Sequence, residues 1–327
     1  MKKLVSLLPI VLSLFLLHSC TSLKHVSFER LQAADVSYPE QVRRVGVVNF
    51  MPVVDTLSQP EYRLPYVSEG DGRVAIDQLA QEIAATNYFD EVVICDSAFR
   101  QDPTWTDGDI PEGLVERLGA ELGVDVLFAL ERVQIELKEG HLYVPEFMAT
   151  LPTLDAVVTP LLSVYVPGRK APLYTVSKAD SIAWEVTSTL SFEQAVREAS
   201  QFAATIPVTY LLPHWKAMER YYFDGGDTDM RDAGVYVREE NWTEAFPLWQ
   251  NVYDRKKGKA KLRAAFNLAV YHEMQEDFEQ AQRYLQEALS LASEDSWERT
   301  LILYYQAQLQ EQEQKNKMLK IQMRRFE

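Results

Sequence analysis

Arg43-Arg44-Val45-Gly46-Val47-Val48-Asn49-Phe50 is a short run of mostly β-branched apolar residues, with Pro52 just beyond it. Such a run reads as a buried strand. Downstream, Ile76, Leu79, Ala80, Ile83 and Ala84 recur at helical spacing and form one apolar stripe. Phe89 to Cys95 reads as a second strand. Pro111 opens a further helix with Leu114, Val115, Leu118 and Leu122 on one face, and Gly123 stands where a helix-ending glycine belongs. Val124 to Leu130 is the third strand. Strand, helix, strand, helix, strand is the order that builds a parallel or mixed sheet.

From about Val133 to Trp184 the pattern turns to alternation. Glu139-Gly140 and Pro167-Gly168-Arg169-Lys170 read as turns between runs such as Leu161 to Val166 and Leu173 to Val176. An antiparallel meander added to the sheet is expected here. Ser191 with Gln194 forms a capping box that opens a helix carrying Phe192, Ala195, Val196, Ala199, Phe202 and Ala203 inward. Pro207 and Pro213 should end or kink it, and His214 to Phe223 is expected to continue as a separate helix. Residues 43–223 thus form an α+β domain: a mixed sheet with helices.

A helical repeat is expected over residues 224–310. Asn241-Trp242-Thr243-Glu244-Ala245 aligns with Asp277-Phe278-Glu279-Gln280-Ala281 at a spacing of 36 residues. The pattern resembles the tetratricopeptide family, whose period is about 34. Asn267-Leu268-Ala269 matches its first helix, and Ala281, Leu285, Ala288 and Leu289 match its second. Small alanines let paired helices approach closely, while Trp242, Trp249 and Phe278 fill gaps between neighbours, and stacking buries faces that one hairpin leaves open. Leu301, Leu303, Tyr304 and Ala307 read as a capping helix, and residues 311–327 as a polar helical tail. On the first helix of the second unit, Leu262, Phe266 and Ala269 are assigned to the packed face. Arg263, Asn267 and Val270 are left for an open one, where they would bind an extended peptide or an exposed chain terminus.

The N-terminus carries the address. Lys2 and Lys3 precede 14 apolar-dominated residues, Leu4 to Leu17. That suits a signal-peptide core and falls short of the roughly 20 residues that span a bilayer. Leu17-His18-Ser19-Cys20 resembles the bacterial lipobox. The resemblance implies removal of residues 1–19, a diacylglyceryl thioether on Cys20 and an acylated amino group there, with residues 20–42 as a lipidated tether. In lipoproteins of this kind an acidic run after the cysteine would imply display on the cell surface. Thr21 to Lys24 holds none, which favours a periplasm-facing position, and the outer membrane is the expected site of the anchor.

Composition narrows the partners. The net charge of −15 becomes −17 once Lys2 and Lys3 leave. That argues against nucleic acid, which needs basic patches. With 47% hydrophobic residues there is material for a core. Cys95, alone once Cys20 is acylated, reads as an inert strand thiol. His272-Glu273-Met274-Gln275-Glu276 lacks the second histidine of a zinc-protease helix, so no metal is expected. Asp224-Gly225-Gly226-Asp227-Thr228-Asp229 lacks the spaced ligands of a calcium loop and reads as a solvated linker. No Gly-x-Ser-x-Gly elbow or phosphate-cradling glycine loop occurs, and neither a catalytic residue nor a cofactor is assigned.

Val45-Gly46-Val47-Val48-Asn49-Phe50 and Gly123-Val124-Asp125-Val126-Leu127 are similar to a domain shared by curli-secretion pore subunits, penicillin-binding-protein activator lipoproteins and the N-terminal part of the Tol-Pal translocation protein. As a whole the chain resembles Gram-negative envelope lipoproteins with tetratricopeptide-like repeats near the C-terminus. The expectation is a lipid-anchored, non-catalytic module that binds or scaffolds an envelope protein or peptide. The alternatives are an oligomeric secretion-pore subunit and an enzyme with an unrecognised site. A pore needs strands of about 9–11 residues, and Pro167 and Pro172 interrupt Leu161 to Val176.

Overall fold

A computed structural model describes residues 23–51, 64–97, 110–187 and 190–327. They fall into two compact units, one of Ala33–His214 with Leu319–Glu327, the other of Trp215–Met318 with the segment ending at Gln32. Cys20 and the leader lie outside the described residues. Among the described residues no helix is long and apolar enough to cross a membrane.

β1 (Leu23–Gln32) belongs to the second unit. In the first, β2 (Arg44–Asn49) lies parallel to both β4 (Glu91–Cys95) and β5 (Val126–Val144). Parallel strands need cover on both faces, which explains their unbroken apolar runs. On one face Val45, Val47, Val126 and Phe128 pack with α1 (Gly72–Ala85) and α3 (Phe192–Thr205). On the other, Val48, Phe50, Leu127 and Ala129 meet α2 (Glu112–Leu122). Local signals act as expected: Gly123 ends α2 at φ 64°, and the Ser191 hydroxyl accepts from the Gln194 amide at 3.0 Å. Asn49 closes β2 by accepting from the Met51 amide and donating to the Asp96 carbonyl.

The meander is present but differs in extent. β5 runs straight through Glu139-Gly140 and pairs with β6 (Ala149–Tyr165) down to Val144↔Ala149. Gly140 is therefore a strand residue rather than a turn. A Cβ there would sit 2.1 Å from Asp155 Oδ2, so glycine leaves room for the carboxylate crossing over it. The turn is a 3-10 segment, Pro145–Phe147, followed by Met148 at φ 45°. β3 (Tyr66–Glu69) flanks β5, while β7 (Tyr174–Ser177) and β8 (Asp180–Glu185) flank β6. α4 (Val208–Leu211) is a single turn.

Two other expectations are corrected in this unit. Residues 33–42, assigned to a tether, hold Ala34, Val36 and Tyr38 in buried positions. The polar tail is a docked element. The Gln322 side chain accepts from the Ala34 amide at 2.9 Å and donates to the Ala34 and Val36 carbonyls, and Arg325 stacks 4.2 Å from the Tyr88 ring. A polar side chain can be buried when the backbone satisfies it.

In the second unit β1 pairs with β9 (His214–Phe223) in a two-stranded ribbon. The helix expected over His214–Phe223 is absent. Met218, Arg220 and Tyr222 point inward alternately, a period of two, and the aromatic-rich sequence suits a strand. Helices α5 (Thr228–Arg238), α6 (Trp242–Arg255), α7 (Gly258–Met274) and α8 (Phe278–Leu291) follow, then the long α9 (Trp297–Met323). The two aligned segments behave alike: Glu240 and Glu276 are left-handed (φ 58° and 60°), and Asn241 and Asp277 cap the next helix. Ala245, Ala269, Ala281 and Ala288 are fully buried between helices. Ala281→Leu should overpack this core and lower stability by about 1–3 kcal/mol in denaturant titration.

Lysines also set an acid limit here. Lys261 beside Glu287, Lys315 beside Glu311 and Lys317 beside Glu313 each hold that carboxyl below its usual range. A depressed folded pKa contributes stability above the unfolded value and loses it as pH falls through the folded one. The melting temperature should therefore hold from pH 7 to about 4.5 and drop below that. A melting temperature rising between pH 4.5 and 3 would contradict this.

Candidate functional site

The three residues assigned to an open groove do share a region of α7, but the region is covered. Asn267 is fully buried: its Oδ1 accepts from the Phe223 amide at 2.8 Å and its Nδ2 donates to the Phe223 carbonyl at 2.7 Å. Val270 is fully buried too. The Arg263 guanidinium lies 5.5 Å over the Phe223 ring and 3.6 Å from Glu298. The face expected to receive an extended peptide receives the end of β9 instead. Asn267 treats that strand as it would treat a peptide backbone, matching one N–H and one C=O of the same residue.

A second anchor lies nearly two turns further on. Glu273 accepts from Arg220 Nε and Nη2 at 2.8 and 2.7 Å, and from the Tyr305 hydroxyl at 2.6 Å. Arg30 of β1 donates to the Glu273 carbonyl and rests 5.2 Å over the Phe278 ring. The side chains of both arginines and of Glu273 are at least nine-tenths buried. Burial first, then the adjacent carboxylate, holds the Tyr305 phenol well above its usual range, so it stays a neutral donor. Sequence reading missed this cluster. The available signal was an arginine at the central inward position of each of two alternating runs, Phe28-x-Arg30-x-Gln32 and Met218-x-Arg220-x-Tyr222.

A two-stranded ribbon has two outer edges whose backbone groups lack a strand partner. A groove of about 770 Å³ follows β1, lined by five consecutive residues, His25 to Glu29, and by Arg238 and Trp242. Another, of about 510 Å³, follows β9 along Lys216 to Tyr221 and reaches Tyr304. Each groove also touches the other strand, the first through Ala217 and Tyr222 and the second through His25. Ala217 lines both.

The remaining candidates have structural roles. Asp227 caps α5 and pairs with Arg255 and Lys256, Asp229 pairs with Arg255, and Asp224 with Arg238. The acidic run is thus bound to the protein's own cations rather than forming the solvated linker expected. His272 stacks on Tyr284 with ring centroids 5.3 Å apart. Among the described residues no three His, Cys, Asp or Glu side chains gather to hold a metal ion. Cys95 is half-buried without a disulfide, and burial raises its thiol pKa.

These features define an α+β protein in two units, a mixed sheet sandwiched by helices and a ribbon held on helical hairpins. The chain belongs to the family described as domain of unknown function DUF8603, which matches residues 42–223. A second domain of unknown function, DUF6340, matches residues 231–311. No curated protein matches the chain. Two solved structures are weakly similar. One is the dodecamer of a PelC point variant from Paraburkholderia phytofirmans, at 10% identity and TM-score 0.25, covering 56% of this chain and 96% of that one. The other is the hypothetical protein CT253 from Chlamydia trachomatis, at 10% identity and TM-score 0.23, covering 52% and 92%.

Proposed function

We propose that this protein is a lipid-anchored envelope module that holds an extended polypeptide and carries out no reaction on it. Anchoring at Cys20, on the outer membrane facing the periplasm, is supported by the lipobox-like Leu17-His18-Ser19-Cys20 behind an apolar leader. The helical hairpins, tetratricopeptide-like in sequence, act as the brace, and the ribbon they hold is the binding element. The observation that carries the reading is the pair of open strand edges beside grooves. An extended chain can add to such an edge through main-chain hydrogen bonds, with side chains choosing the sequence. The binding residues are accordingly moved from Arg263, Asn267 and Val270 to the flanks of β1 and β9.

Two experiments separate the parts. Cys20→Ala should abolish palmitate labelling and leave the leader attached; unchanged labelling would refute the anchor. A photo-crosslinking amino acid at Ala217, which borders both grooves, should yield discrete adducts with an envelope protein in intact cells. The same probe at Lys170, on a turn of the sheet unit, should not. Equal adduct patterns from both positions, or none from Ala217, would refute the binding surface.

A further inference from the structure

The most exposed large apolar side chains among the described residues are Met148 at 84% and Phe147 at 76%, and Tyr143 and Leu142 are each more than half exposed. All four sit at one end of the β5–β6 hairpin. β3 accompanies β5 no further than Leu137, and β8 accompanies β6 no further than Thr153. Beyond those points no strand among the described residues lies on either side of the hairpin. From Lys138 to Val144 it extends about 23 Å at 3.3 Å per residue. Its base is charged, with Lys138, Glu139 and Asp155. From Gly140 to Pro152 the only formally charged residue is Glu146, in a protein that is 25% charged.

We propose that this tip dips into the interfacial layer of a lipid bilayer, with Phe147, Met148, Leu142 and Tyr143 entering the headgroup and upper acyl region. The apolar zone, Leu142 to Val144, is about 10 Å long, which matches the 5–10 Å reached by interfacial elements. Glu146 stands in the turn itself and limits the depth: its carboxylate must reach back to the headgroups, so the hairpin enters only shallowly and does not span. Met148 holds a left-handed backbone next to the 3-10 turn, an uncommon conformation for a residue that is not glycine. A second copy fits less well. Even at the upper value of an aromatic side chain, about 250 Å², four side chains at these exposures present no more than roughly 700 Å². A stable interface needs about 800 Å² per partner. Because the ribbon is acidic on balance, attraction to anionic lipid plays no part.

The proposal stands apart from acylation of Cys20 and from the ribbon grooves, so its test uses a chain without the acyl site. The protein from Thr21 to Glu327, which includes every described residue, is floated with phosphatidylcholine vesicles and with vesicles containing phosphatidylglycerol. It should bind both, undiminished in 0.5 M NaCl, and Phe147→Ser with Met148→Ser should weaken binding roughly tenfold or more. Leu303→Ser, an exposed apolar change in the other unit, should not. Phe147→Trp keeps the apolar character, and its fluorescence should be quenched by shallow-brominated lipid. Absence of binding by the starting protein would overturn the proposal, as would binding that needs phosphatidylglycerol and fails in salt. Equal binding by the double-serine variant, or its loss only through dissociation of a concentration-dependent dimer, would overturn it as well.

Discussion

Glu273→Ala should destabilise the ribbon and helical unit by roughly 3–5 kcal/mol, the range found when one partner of a buried ion pair is removed. The carboxylate lies where four elements meet: its own helix α7, Arg30 from β1, Arg220 from β9 and Tyr305 from α9. Without it, two guanidinium groups remain in a site almost closed to water, one of them stripped of a bidentate partner. Desolvated, unpaired charge is among the most unfavourable states a side chain can hold. Denaturant titration followed by far-ultraviolet circular dichroism reads the loss. Arg220→Met should reduce it: Glu273→Ala introduced beside that change should cost less than Glu273→Ala alone, because one stranded charge has gone. A loss below about 1 kcal/mol for the single variant would show that the cluster does not bear on the fold. Glu273→Gln offers a milder case, since it keeps an acceptor for Tyr305 while removing the charge.

The features that were legible in sequence have local causes. Val45 to Phe50 is buried on both faces, and its apolar run says so without any partner being known. Gly123 and Ser191 mark helix ends through backbone and side-chain geometry confined to three or four residues. The alanines at 245, 269, 281 and 288 report close helix contact because no larger residue would fit. What was not legible depends on distant partners. Gly140 looks like a turn until Asp155, fifteen residues on, is seen to need the space. Arg220 looks like a solvated charge on a helix until Glu273 is placed beside it. His214 to Phe223 contains residues that serve either helix or strand, and its pairing with β1 decides between them. β1 itself lies in a stretch read as a tether, because only its partner shows that Arg30 and Gln32 face inward. The end of the chain is similar: Gln322 is polar in sequence and buried in structure because the Ala34 and Val36 backbone meets it.

The same dependence on a distant partner decides the candidate site, and Arg263→Glu combined with Asn267→Ala tests it. If both residues lined an open groove, the pair would change stability by no more than about 0.5 kcal/mol and would weaken capture of a partner. The structure requires the opposite order of effects. Asn267→Ala leaves the Phe223 amide and carbonyl without their partners inside a closed interface, at about 1–3 kcal/mol for each group. Arg263→Glu adds a carboxylate close to buried Glu298, where like charges repel and Phe223 loses the cation above its ring. The double variant should therefore lose several kcal/mol in denaturant titration, and Asn267→Ala alone should account for most of it. Partner capture should then follow the folded fraction rather than the altered side chains. If the double variant instead unfolded at the wild-type midpoint, the ribbon would not be seated on α7. In that event the open groove, with Arg263, Asn267 and Val270 as its contacts, would be restored as the binding face.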